Sequence, residues 1–191
     1  LSGDFIREMM VHSLDMISWT MGDKNPIKAT GTGGRQTRTE AIYGNAYDHF
    51  AIEYEYENGV KGIHFSRQQE SCSNSNRVEI AGSKGNALIN GNKHMISGST
   101  AWQYEGERND MYQTEHNELF AAIRKGNPIN DGEKMARSSM LGVLGRMVAY
   151  TGKTLTWDEA LNSNQVLGPT IDQYNWNLNW PVAEVARPGV T

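Results

Sequence analysis

From Phe50 the chain alternates, with Phe50, Ile52, Tyr54 and Tyr56 on one side and Ala51, Glu53, Glu55 and Glu57 on the other. A period of two predicts a strand with one buried face. Asn58-Gly59 comes next, the dipeptide that best fits a two-residue hairpin turn. Such a turn pairs Tyr54 with Ile63, Ile52 with Phe65 and Phe50 with Arg67, and sets Glu53 opposite His64 on the wetter face. Arg77 to Ala81 and Ala87 to Asn90 flank Gly82-Ser83-Lys84-Gly85, Asn90-Gly91-Asn92 turns into His94 to Ser97, and Ala101 to Tyr104 adds a further short run. Together these predict an open, mainly antiparallel sheet of about six strands, a usual size.

The remaining periodicity is helical. In Asp4 to Gly22, Met10, Leu14, Ile17 and Met21 form an apolar stripe, and Pro26 stops the run. Met111 to Lys125 carries Leu119, Phe120 and Ile123 on one side, with Gly126 and Pro128 closing it. Asn130-x-x-Glu133 opens a long helix from Asp131 to Thr151, along which Ser138, Gly142, Gly145 and Ala149 leave a smooth stripe for close packing. Thr156-x-x-Glu159 caps a short helix, and the tail from Asn162 has no period and reads as an irregular strap. The fold class is therefore α+β, with helices packed on one face of the sheet, the other face free, and no visible domain boundary across residues 1–191.

Candidate chemistry sits on the first helix. On a continuous helix, Glu8, His12, Asp15 and Trp19 recur at four, three and four residues and share a face. A carboxylate one turn before an imidazole can hydrogen-bond it and fix its tautomer, as proton transfer near neutral pH requires; the same spacing also suits an exposed helix edge. Gly31, Gly33 and Gly34 lack the G-x-G-x-x-G spacing of a nucleotide cradle and read as a flexible loop presenting Arg35, Gln36 and Arg38. Tyr43 to His49 gathers planar polar and aromatic side chains of the kind that bind sugars, and Asp48 with His49 forms a second possible acid and base.

Composition narrows the classes. The 191 residues carry a net charge of -4 with interspersed signs, which argues against a nucleic-acid surface, and no run approaches a membrane span. Cys72 is the only cysteine, so neither an internal disulfide nor a thiolate metal centre can form, and no H-E-x-x-H motif is present. No metal is expected.

The glycine followed by a carboxylate-x-x-x-His-x-x-Asp helix at Gly3 to Gly22, with GTGGRQTR, YGNAYDHF, GSKG, AAIRKGNPI and TGKTLTWDEAL in order, resembles the C-terminal domain of the Gfo/Idh/MocA oxidoreductases (glucose-fructose oxidoreductase, inositol dehydrogenase and relatives), especially their bacterial sugar-oxidising branch. The resemblance implies a fold like the C-terminal domain of glyceraldehyde-3-phosphate dehydrogenase. It also implies an NAD(P)-dependent parent acting on a sugar, cyclitol or glycoside hydroxyl. NAD or NADP would be held by a Rossmann domain expected upstream, with no cofactor-binding residue in this chain. His12 is implied as catalytic or substrate-binding beneath the nicotinamide, Glu8 as orienting it where the family often has Asp, and Asp15 as support. Arg35, Tyr47, His49 and Arg67 are the implied substrate contacts. The free sheet face is implied to join copies into a homo-oligomer, with neither nucleic acid nor membrane as partner. An NAD-dependent glycosidase of the same superfamily and a non-catalytic carbohydrate-binding or assembly domain remain alternatives. Either a cytoplasmic or an exported parent is compatible with the sequence.

Overall fold

The computed structural model describes residues 3–91 and 93–190; Asn92, in the turn expected at Asn90-Gly91-Asn92, lies outside them. The elements in order are α1 (Asp4–Glu8), α2 (Val11–Thr20), β1 (Lys28–Gly34), a 3₁₀ turn (Ala41–Tyr43), β2 (His49–Glu55), β3 (Lys61–Arg67), β4 (Val78–Gly82), β5 (Gly85–Asn90), β6 (Lys93–Gly98), β7 (Trp102–Gln103), α3 (Met111–Arg124), α4 (Gly132–Thr151), β8 (Leu155–Thr156) and α5 (Trp157–Leu161). The α+β class holds. Instead of one sheet of about six strands there are two four-stranded antiparallel sheets, ordered β3-β2-β1-β8 and β4-β5-β6-β7. They belong to two compact units, Leu1–Cys72 with Lys134–Thr191, and Ser73–Glu133.

The first unit contains the core. Phe50, Ile52, Tyr54 and Tyr56 all turn inward, as their alternation predicts, and meet Leu14 of α2 and Leu141, Leu144 and Val148 of α4. The smooth stripe on α4 lets the sheet approach: the Tyr54 hydroxyl donates to the Leu141 carbonyl at 2.8 Å, and a Cβ at Gly145 would lie 2.4 Å from that hydroxyl oxygen. Gly145 is thus required for this contact. Of the two expected caps, Thr156 with Glu159 makes the reciprocal capping box, while Asn130 Oδ1 accepts from the Gly132 amide, two residues on, just before α4. The tail does strap the unit, with the Gly189 amide bonded to the Thr151 carbonyl.

The hairpin register differs from the expected one by a residue. Tyr56 donates to the Val60 carbonyl across a three-residue turn, Glu57–Gly59, in which Asn58 and Gly59 both have positive φ. Tyr54 therefore pairs with Gly62, Ile52 with His64 and Phe50 with Ser66, while Glu53 faces Ile63. The extra loop residue shifts the pairing, and β3 turns Gly62 and His64 inward and leaves Ile63 and Phe65, 55% and 76% exposed, on the helix-free face. β8, two residues long, carries no pattern and was not foreseen.

The second unit is built differently. Its four strands pair in simple meander order and α3 is capped by Asp110, whose Oδ1 accepts from the amides of Tyr112 and Gln113. No described residue from Ser73 to Glu133 is fully buried. Leu119, Phe120 and Ile123 of α3 remain exposed.

Candidate functional site

The helix expected to be continuous from Asp4 to Gly22 is broken. The Met9 amide bonds to the Phe5 carbonyl as in an α-helix, but the Met10 amide reaches the same oxygen five residues back, and Met9 leaves helical geometry at φ -123. This wide turn inserts one residue between α1 and α2 and rotates α2 by roughly 100° against the helical phase of α1. Glu8 and His12 both lie exposed, and no hydrogen bond or ion pair joins His12 to Glu8. Asp15 is half-buried and accepts a short hydrogen bond from the Ser138 hydroxyl of α4, which ties the two helices together.

Glu8 instead lines a groove of about 980 Å³ in the first unit. Arg7, Glu8 and Val11 form one side, residues 41–46 another, and tail segments 166–168 and 180–183, including Trp180, a third. At its base lies a pair that the sequence did not predict. The Arg146 Nε donates to Asp4 Oδ2 at 2.7 Å, both side chains are buried, and the guanidinium lies 3.9 Å from the Tyr150 ring centre. Burial raises the Asp4 carboxyl above its ordinary value, against the opposing pull of Arg146. One signal was legible: Arg146 is a lone charge in the otherwise apolar run Leu144 to Ala149.

The second acid and base do meet. Asp48 is fully buried, and His49 Nδ1 stands 2.7 Å from its Oδ1, to which Gln69 Nε2 also donates at 3.0 Å. Its other oxygen accepts from the amides of Gln36, Thr37 and Arg38 and from the Thr37 hydroxyl. Burial alone would raise this carboxyl, but the bonds from His49 and the three amides outweigh it and hold the group well below the usual carboxylate range. His49 is half-buried on the helix-free face, opposite Arg67 of β3.

Two of the other expected substrate contacts serve the fold instead. Arg35 turns back into its own loop, donating from Nη1 to the Gly44 carbonyl and from Nη2 to the Glu40 carbonyl, so it shapes the 41–46 wall of the groove. Tyr47 is 3% exposed, stacked on Tyr150 at 4.0 Å, with its hydroxyl donating to the Ala186 carbonyl; it is a packing residue. Gly31, Gly33 and Gly34 are not a loop but the end of β1, where a Cβ at Gly31 or Gly33 would crowd the Ala51 or His49 carbonyl. That position serves sheet pairing and does not fit a phosphate cradle, which needs a turn opening a helix. His64, expected on the wetter face, is buried beside Ser66, and burial pushes its imidazole down to about 4.

Among the described residues, no helix is long and apolar enough to cross a membrane. No curated protein sequence matches this chain. Similar solved structures include an aldose-aldose oxidoreductase from Caulobacter crescentus (17% identity, TM-score 0.64, 76% of this chain and 45% of that one) and a myo-inositol dehydrogenase from Corynebacterium glutamicum (22%, 0.58, 81% and 50%). A UDP-N-acetylglucosamine 3-dehydrogenase from Acidithiobacillus ferrooxidans is also similar (19%, 0.64, 76% and 47%). At these identities the likeness is one of fold, and the chain spans about half the length of those proteins. The sequence model of the GFO/IDH/MocA C-terminal domain matches residues 1–88, a stretch that contains α1, α2, the hairpin and both acid and imidazole pairs, and this part of the chain is similar to that family.

Proposed function

We propose that this chain is the substrate-binding and catalytic half of an NAD(P)-dependent oxidoreductase that acts on a hydroxyl of a sugar, cyclitol or glycoside. The observation that carries the reading is the family match across the stretch holding Glu8, His12 and Asp15, beside a groove that Glu8 lines. The similar structures named for aldose, myo-inositol and UDP-N-acetylglucosamine chemistry favour a carbohydrate. NAD or NADP belongs to a Rossmann domain outside residues 1–191. His12 exchanges the substrate hydroxyl proton, Glu8 sets the polarity of the groove that it lines, and Asp15 fixes α2 to α4 through Ser138. His49 and Arg67, adjacent across the sheet, are the remaining candidates for polar contact.

The test is His12→Asn in the full-length protein, with steady-state kinetics at saturating cofactor across pH. Turnover should fall about 10²- to 10⁴-fold, with a smaller change in KM. Full turnover with an unchanged pH profile would leave α2 as scaffold. The helix-free face of β3-β2-β1-β8, with Ile63 and Phe65 exposed, is proposed as the homo-oligomer surface. Phe65→Glu should shift light scattering toward smaller species; an unchanged mass would move the interface elsewhere.

A further inference from the structure

We infer that Arg146 is a substrate-binding residue of the groove, donating from its two Nη groups to an adjacent pair of hydroxyl oxygens on an uncharged carbohydrate. The inference rests on the carbohydrate reading above and extends it to a recognition residue and a charge class. Arg146 is only 7% exposed, yet it lines the groove. It meets Asp4 side-on, through Nε alone, rather than by the two-pronged contact that a purely structural Arg-carboxylate pair favours. Neither Nη has a hydrogen-bond partner among the described residues, and neither is sealed from the groove.

The four N–H donors on its two Nη groups are thus open to the groove and available to a ligand that accepts from them. The surroundings hold the fork still: Tyr150 stacks beneath it, with its own hydroxyl donating to the Asn45 carbonyl of the groove wall. Asp4, which anchors Nε, is held at φ 63, a sparsely populated conformation for a non-glycine residue. Around the groove and its base, Arg7 and Arg146 are balanced by Glu8 and Asp4, so no net charge calls for an anion. Donors at Arg146, an acceptor at Glu8, and the rings of Tyr43 and Trp180 suit vicinal hydroxyls on a flat apolar sugar face.

The experiment is calorimetric titration of the full-length protein, saturated with NAD or NADP, with D-glucose, D-xylose, myo-inositol and D-glucuronate. The wild type should bind at least one neutral member, and D-glucuronate no more tightly than D-glucose. Arg146→Lys, which keeps a cation for Asp4 but loses the fork, should weaken that binding about 10- to 100-fold with cofactor affinity unchanged. Unweakened binding by Arg146→Lys, or preference for D-glucuronate, overturns this inference and leaves the carbohydrate reading standing. A wild type that binds none of the four overturns both. Should Arg146→Lys fail to fold, a crystal structure of the wild type with the bound sugar decides: a sugar oxygen within hydrogen-bonding distance of each Nη supports the inference, and none there overturns it.

Discussion

Two acid and imidazole pairs can be set side by side, Glu8 with His12 and Asp48 with His49. The first was predicted from helical spacing and does not meet, while the second is bonded at 2.7 Å. Adjacency in the chain is not the whole reason, although Asp48 lies in a bend just before β2 and His49 is its first residue. What distinguishes Asp48 is its anchoring: three backbone amides, a hydroxyl and an amide side chain hold the carboxylate before the imidazole arrives. Glu8 sits on a five-residue helix that breaks just after it.

The sharpest way to break the comparison is to remove the anchored carboxylate. Asp48→Ala strands the amides of Gln36, Thr37 and Arg38, and should cost about 3 to 5 kcal/mol of stability at neutral pH by denaturant unfolding. Because the folded-state carboxyl is held below its unfolded value of 3.8, its contribution is present in full above that value and is lost as pH falls through the lower folded one. The gap between wild type and Asp48→Asn should therefore narrow in acid. A gap that stays constant with pH would mean the charge of Asp48 contributes nothing.

His64 extends the comparison to an imidazole with no acid at all. Burial depresses it to about 4, so between the unfolded value of 6.5 and that figure the unfolded chain binds a proton the folded chain refuses. Stability should fall by about 3 kcal/mol as pH drops across that window. His64→Gln should remove this part of the pH dependence, and an unaltered slope would place the titration elsewhere. The smallest effect belongs to Glu8→Gln, expected to change stability by no more than about 0.5 kcal/mol, because Glu8 is exposed. Its loss of turnover should be smaller than that of His12→Asn. A large loss of stability would show Glu8 to be as firmly anchored as Asp48.

How much the sequence revealed depends on how local each determinant is. Strict alternation from Phe50 to Tyr56 identified the buried face because period two is a property of the strand itself. The cap at Thr156 is a four-residue event and was equally legible. The break after Glu8 was not, because no Pro or Gly marks it and only the bifurcated Phe5 carbonyl reveals it. Arg146 and Asp4 lie 142 positions apart, and their meeting depends on packing α4 against the start of the chain. Arg35 and Tyr47 had the chemistry of ligand contacts, but the fold uses the first to shape a loop and the second to fill the core. The division into two sheets likewise depends on long-range pairing that alternation cannot specify.

The turn at Glu57–Gly59 has a consequence for how this domain tolerates insertions and deletions. The face that β3 presents is set by which residues pair, Tyr54 with Gly62 and Ile52 with His64, so a one-residue slip of that register would exchange the two sides of the strand. Such a slip would drive Ile63 and Phe65 toward α2 and α4 and expel Gly62 and His64 to the outer face. A Cβ on residue 62 would already lie 2.9 Å from the Ile17 side chain, so the space beneath that strand is cut for a hydrogen atom. The hairpin therefore behaves as a lock with one permitted register, and a change in the turn is tolerated as long as Tyr56 and Val60 still close it.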